Sequence, residues 1–354
     1  MHSQGIYIHL SQPFKQLPLS VHNAKVTLQE SINAFSRLRN LFKDFPLEND
    51  VFTLIAALMT MVFAPLMKCR PMIVIGANVR GSGKTTLAEL LATISSGQPT
   101  CTLLPWVNKA EEFDKLLQSI MLTAPTNIII DNAVGSIGSA QLDAIITAGD
   151  NKIKFRILGK TEMAQVENNF TTLITGNNLL LKADAERRTL MISMVSDLER
   201  PEERKHFAIP NIREHVYQNA ALYWSDALTI YRAYQQAPQA QKDEVSTHVT
   251  PTGSFSEWSE YVQKPIYWIM KQADDEKVDV WKSSQANICS ETRDDTFMLL
   301  DALAPFQRFV GKDHWWTAGE LHKIIMNTNS DIGGDLRDIL PTYNYQTSVK
   351  LGKY

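Results

Sequence analysis

The chain has 354 residues, of which 44% are hydrophobic and 21% charged, with a formal net charge of −3 at pH 7. That length accommodates about two or three domains with real cores and excludes a disordered chain, while the weak acidic balance confines any nucleic-acid contact to a local basic patch. The three cysteines, Cys69, Cys101 and Cys289, show no C-x-x-C spacing, which argues against a zinc module or a disulfide framework and fits a reducing cytoplasm.

The opening MHSQGIYIHL lacks the basic start and apolar block of a secretory signal, and residues 1–25 carry no pattern that assigns an element. From Thr27 to Phe42, Ile32, Phe35, Leu38, Leu41 and Phe42 recur at helical spacing, and Asn49-Asp50 is placed to cap the helix that follows. That next run, Val51 to Met67, is uncharged, but it is short for a membrane span, broken by Pro65 and followed closely by a strand pattern. It reads as a buried helix, and no membrane partner is expected.

Met72 to Ile75 has the β-branched, uncharged character of a strand covered on both faces. A glycine-rich turn follows, then Lys84-Thr85-Thr86 opens a helix whose Leu87, Leu90, Leu91 and Ile94 share one side. Strand, glycine loop and helix in this order make a phosphate-binding loop: backbone N–H groups, the helix dipole and a lysine hold polyphosphate, and a Ser/Thr hydroxyl ligates Mg²⁺. The pattern G-x-x-x-x-G-K-[ST] is met except at its first position, where Asn78 stands for glycine. Asparagine is the non-glycine residue that best tolerates positive φ, and Gly76 and Gly81 add freedom nearby, so the turn can still form. The expected nucleotide contacts are Asn78, Arg80, Gly81, Ser82, Gly83, Lys84, Thr85 and Thr86.

Cys101 to Leu104 reads as a second strand, and Asn108 to Met121 as an amphipathic helix with Phe113, Leu116, Leu117 and Ile120 inward. Asn127-Ile-Ile-Ile-Asp131 is a buried strand ending in a carboxylate, placed where Mg²⁺ takes its second protein ligand. The next residue is Asn132, whose amide positions water but takes no proton. Three consequences stay open: slow hydrolysis, a contribution from another acid such as Asp143 or Asp150, or ATP used chiefly as a switch.

Ser139 to Ala148 reads as helix, and Lys152 to Lys160 alternates basic and apolar residues. On a strand, Lys152, Lys154 and Arg156 share one face, with Lys160 at the end of the segment. That face suits a phosphate track, or equally a solvated edge strand guarded by lysines. Phe170 to Asn178 is a further strand ending in two amides, Asn177 and Asn178. Arg187 and Arg188 stand just before the strand Leu190 to Val195, with a salt bridge to Asp184 or Glu186 as their structural alternative.

Glu203 to Gln235 contains a long helix with Val216, Ala220, Tyr223, Trp224, Leu228 and Tyr231 on its buried side, and Arg213 near its start. Ala237 to Gly253, rich in Pro, Gln, Ser and Thr, reads as a loop or hinge. Trp258, Tyr261, Tyr267 and Trp268 read as core, or as a surface for stacking bases. Thr317 to Ile325, Asp335 to Leu340 and Tyr343 to Lys350 have the layout of two helices and a wing.

Taken together, GSGKTT, IIIDN, ITGNN and AERRT in this order resemble the AAA+ ATPases, with Walker A, Walker B, sensor 1 and arginine finger. Phe45-Pro46, RILGK, TGNN with its following RR, and SFSEW look more narrowly like the helicase portion of primase–helicase proteins carried by phages, satellites and chromosomal islands. Those are similar to the minichromosome maintenance and superfamily 3 replicative helicases. The resemblance implies an α/β fold: an AAA+ P-loop core, a parallel sheet flanked by helices, with a helical lead-in, a helical lid and a C-terminal winged-helix-like domain. The expected boundaries are 1–66, 67–200, 201–288 and 289–354.

By the same resemblance, ATP and Mg²⁺ are the cofactors. Lys84 neutralises the β/γ-phosphates, Thr85 and Asp131 hold Mg²⁺, and Asn178 (or Asn177) is sensor 1. Arg188, or Arg187 beside it, reaches into the neighbouring subunit's site, and the Lys152 to Lys160 strand is a pore hairpin. The implied function is an ATP-driven DNA helicase or translocase of a mobile element, working as a homo-oligomeric ring, usually a hexamer, with a possible primase or initiator partner. The alternatives are a helicase loader or assembly factor with slow hydrolysis, and a regulatory ATPase whose partner is protein only.

Overall fold

A computed structural model describes residues 25–273, apart from 48–50, 100, 108, 149–151, 158–160, 178, 182–187, 197, 199, 205–206 and 250–254. The expected winged-helix unit, the Asn49-Asp50 cap, Asp150, Lys160, Asn178 and Arg187 lie outside the described residues.

Helix α1, Leu28–Leu41, begins at a reciprocal cap: Thr27 accepts from the Glu30 N–H, and the Glu30 carboxylate accepts from the Thr27 N–H. Helix α2, Val51–Val62, is buried from Phe52 onward, which makes it a core helix, as its length and Pro65 indicate. Among the described residues no helix is long and apolar enough to cross a membrane.

Among the described residues, nine strands follow the lead-in in chain order with their helices. β1 is Met72–Ala77, α3 Lys84–Ser96, β2 Thr102–Pro105, α4 Ala110–Met121, β3 Asn127–Ala133, β4 Ser136–Ile137 and α5 Ala140–Ile146. Then come β5, Lys152–Arg156, β6, Met163–Glu167, β7, Thr171–Asn177, β8, Leu180–Leu181, and β9, Thr189–Met194. Five of them form one sheet in the order β2-β3-β7-β1-β9, every pairing parallel. The burial of β1 and β7 through nearly their whole length is the signature of a parallel sheet covered on both faces. Because β7 runs between β1 and β3, the carboxyl ends of all three open side by side.

The basic segment forms an antiparallel hairpin with β6, in register Lys152↔Glu167, Lys154↔Gln165 and Arg156↔Met163. Its alternation holds: Ile153 and Phe155 are buried, while Lys152, Lys154 and Arg156 are exposed. A buried arginine ties the hairpin's return to the sheet. Arg70 donates to the carbonyls of Met67, Phe170 and Asn168 and to Asn168 Oδ1, and Asn168 Nδ2 donates to Ile145 O at 2.7 Å. Burial pushes its guanidinium down to about 10, still protonated at neutral pH.

The long helix α6, Ile212–Gln236, packs along α1 and α3, and is pinned to α1 by Arg37 and the buried Asp226. The stretch expected as a loop or hinge after Ala237 is instead largely helix α7, Gln239–His248. Its polarity hid it, since Val245 is the buried residue of that helix. A turn at Ser256–Trp258 and a π-helical turn at Ser259–Gln263 lead into α8, Lys264–Gln272. Trp258 and Trp268 are core groups and not a stacking surface: they are buried, and their indoles donate to Thr60 Oγ1 at 2.7 Å and Gln241 Oε1 at 2.8 Å.

Candidate functional site

The site forms where β1, β3 and β7 end. The turn after β1 runs through Gly81 at φ 76° and Gly83 at φ 90°, and Gly83 caps α3. Lys84 and Thr85 therefore stand in the first turn of α3, at the positive end of its dipole. Ser82 is buried and closes the turn by donating to Val79 O at 2.6 Å.

The turn forms without a positive φ at Asn78; among non-glycine described residues only Ala124 and Asn132 have one. Instead the Asn78 side chain imitates backbone. Nδ2 donates to Ser196 O at 3.1 Å, and Oδ1 accepts from Ser196 N at 3.0 Å. A glycine in its place would lose this tie between the loop and the end of β9.

Lys84 Nζ donates to Asn177 Oδ1 at 2.7 Å. Thr85 Oγ1 donates to Asp131 Oδ1 at 2.7 Å, and the same oxygen accepts from Thr175 Oγ1 at 2.6 Å. Lysine, threonine and aspartate from the two motifs thus meet across β7, with Asn177 as the amide that reaches the lysine. Burial holds the Lys84 ammonium below its ordinary value; Asp131 opposes that shift and Arg80 adds to it.

The donor set fits Mg²⁺. A hydroxyl and a carboxylate oxygen 2.7 Å apart are close to the edge of about 2.9 Å between neighbouring ligands of an octahedron with bonds of about 2.0–2.1 Å. Among the described residues no group of three or more His, Cys, Asp or Glu side chains gathers. An ion held by one carboxylate and one hydroxyl leaves its remaining positions to water and phosphate.

Two further strips border the loop. Phe45 lies against Gly83, where an added Cβ would sit 3.3 Å from its ring, and a cavity of about 380 Å³ opens beside it between Arg39, Phe42, Leu47 and Val51. From the other side Glu202 lies against Gly81. Arg213, at the start of α6, donates to Thr86 Oγ1 at 2.9 Å and to Glu89 Oε2 on α3.

Other marked residues do not bring a side chain into this cluster. Asn132 is exposed at φ 54°. Asp143 lies on α5, its Oδ1 buried without a hydrogen-bond partner among the described residues. Arg188 is half-buried just before β9, where its carbonyl accepts from Met72 N at 3.0 Å. Met72 and the glycine-rich loop lie at opposite ends of β1, about 17 Å apart at ~3.3 Å per residue, so the Arg188 backbone sits at the opposite end of the strands from the loop of its own chain. The motifs leave Thr175 unmarked, although it shares a strand face with Asn177 two residues on.

The sheet and its flanking helices are compatible with a P-loop-like core. No family model matches the chain, and no curated protein does. Among solved structures, the A-form apo structure of the NrS-1 C-terminal region is 14% identical, with a TM-score of 0.37, over 74% of this chain and 70% of that one. A second A-form apo structure of that region, spanning 305–718, is 12% identical with a TM-score of 0.33, over 80% of this chain and 72% of that one. At these scores the likeness carries no weight for activity.

Proposed function

We propose that the protein is a P-loop ATPase that assembles as a homo-oligomeric ring, a hexamer by its family resemblance, and moves or unwinds DNA during replication of a mobile element. The observation that carries this reading is the convergence of Lys84, Thr85, Asp131 and Asn177 at the ends of three adjacent parallel strands. In it, Gly81, Ser82 and Gly83 line the phosphates, with Asn78 shaping the turn and Arg80 adding positive charge. Lys84 neutralises the β/γ-phosphates, and Asn177 or Asn178 aligns the attacked end of the nucleotide. Thr85 and Asp131 would hold Mg²⁺, which supplies positive charge against the phosphates. The nucleoside lies in the cavity beside Phe45, where Phe42, Leu47 and Val51 offer apolar contact to a base and Ser36, Asn40, Arg39 and Lys43 offer polar contact to its edges and sugar.

Arg188, or Arg187, acts in the neighbouring subunit, in keeping with its distance from the loop of its own chain. Hydrolysis then depends on assembly. Lys152, Lys154, Arg156 and Lys160 follow the DNA backbone. The deciding experiment is ATPase activity of purified protein with and without DNA, with particle mass recorded in parallel. The expected result is DNA-stimulated turnover by an oligomer, lost in Lys84→Ala and in Arg188→Ala, with activity recovered when the two inactive variants are mixed. Monomeric protein with turnover indifferent to DNA overturns the helicase reading.

Asn132 supports a second reading. It stands where fast ATPases place a glutamate, exposed and unable to take a proton. Slow turnover insensitive to DNA, with tight binding to a replication protein, marks a loader or assembly factor.

A further inference from the structure

β3 and β7 pair in register from Asn127↔Thr171 to Ile130↔Ile174, and pairing resumes at Ala133↔Gly176. Between those points β3 has Asp131 and Asn132 where β7 has Thr175 alone. A bulge of this kind leaves ladder groups unpaired and re-aims a side chain. Asn132 takes up the extra length at φ 54°, which asparagine tolerates, and its N–H donates to Thr175 Oγ1 at 3.1 Å. The same hydroxyl donates its proton to Asp131 Oδ1 at 2.6 Å. Gly176 sets how close the strands come, because a Cβ there would lie 2.3 Å from Ala133 O.

We infer that Thr175 is a positioning residue for the divalent-cation carboxylate. One hydroxyl does two things: it accepts from the backbone of Asn132, which holds the bulge, and it donates to Asp131, which orients the carboxylate toward Thr85. Hydrogen bonds to metal-ligating carboxylates set their orientation and basicity, and losing one costs about 10–100-fold in metal affinity. A role in the bulge alone would be structural and would leave the cation untouched. The inference rests on the nucleotide reading of this site.

The test is calorimetric titration with a non-hydrolysable ATP analogue, with and without Mg²⁺, on the full chain as wild type, Thr175→Val, Thr175→Ser and Lys84→Ala. Without Mg²⁺, the Val and Ser variants bind the analogue as wild type does. With Mg²⁺, Thr175→Val loses about 10-fold or more of the affinity that the cation adds, and Thr175→Ser keeps it. A folded Thr175→Val with the wild-type gain from Mg²⁺, while Lys84→Ala has lost binding, overturns the role of Thr175 alone. Wild type that binds no analogue, or a Lys84→Ala that binds as tightly, overturns the nucleotide reading and this role with it. Should Thr175→Val fail to fold, Thr175→Ala takes its place against Thr175→Ser under the same outcomes.

Discussion

Arg213 stands in the first turn of α6, yet its guanidinium ends on α3, 2.8 Å from Glu89 Oε2. A cation in a first turn opposes its own helix dipole, so local helix energetics do not explain it. The side chain is 60% exposed, and an exposed pair of this kind contributes under about 1 kcal/mol. Arg213→Ala is therefore expected to leave thermal stability nearly unchanged. Because the guanidinium also holds Thr86, beside the glycine-rich loop, the proposed nucleotide site predicts a several-fold fall in ATP affinity in the same variant. Thermal unfolding and nucleotide titration on one sample separate the two effects.

Lys84 gives the site a pH dependence. Its ammonium is held below the ordinary 10.5 by burial, and a bound triphosphate raises it again. Between the lower free value and the higher bound value, nucleotide binding takes up a proton. ATP affinity is then expected to fall as pH rises through the free value, which lies below 10.5. Lys84→Arg, which stays protonated, flattens that profile. Calorimetry in buffers of different ionisation heat reads the proton uptake directly.

The glycines of neighbouring strands predict opposite tolerances. A Cβ at Gly176 meets the Ala133 carbonyl at 2.3 Å, a backbone atom that cannot swing aside, whereas a Cβ at Gly76 meets nothing closer than Met191 Sδ at 3.8 Å. Gly176→Ala is expected to destabilise by about 1–3 kcal/mol or more, and Gly76→Ala by much less. Urea unfolding of the two variants makes the comparison.

Arg37 and Asp226 join α1 to α6 through a two-point pair, with Nε to Oδ2 at 3.0 Å and Nη2 to Oδ1 at 2.5 Å. The Asp226 carboxyl is raised above 3.8, because burial outweighs the arginine that opposes it. Arg37→Ala leaves that buried carboxylate without its partner and is expected to destabilise at neutral pH, by less than the ~3–5 kcal/mol of a fully buried pair because the Arg37 side chain is 46% exposed. Asp226→Asn removes the desolvated charge as well and costs less. For an acid whose folded value is raised, the stabilising contribution is present below the unfolded value and is lost as pH rises through the folded one. The deficit of Arg37→Ala should therefore shrink on acidification, which chemical unfolding at neutral and acid pH measures.

The exposed face of β5 tests the DNA reading. Replacing Lys152, Lys154 and Arg156 by glutamine is expected to lower the slope of log affinity against log salt by about 2 for single-stranded DNA. An unchanged slope assigns the face to solvation.

What was legible in the sequence is what neighbouring residues decide between themselves. The stretch from Met72 to Ser96 carries its fold in its order: a buried apolar run, glycines with φ of 76° and 90°, then Lys84 on a helix N-terminus. The hairpin alternation from Lys152 to Arg156 was legible for the same reason, since a strand's side chains alternate by geometry. Helix α7 was not, because its one buried residue leaves no periodic stripe to read.

By itself, then, the sequence determined the chemistry on offer: a lysine and hydroxyls at a helix start, a carboxylate on a buried strand, and amides on another. Only the tertiary structure decided which of them meet. Asn177 is 93 residues from Lys84, Thr175 is 44 from Asp131, and Arg213 is 127 from Thr86. Contacts at such separations follow from sheet order and from a bulge in β3, and both are set by packing of the whole domain, which no local pattern encodes.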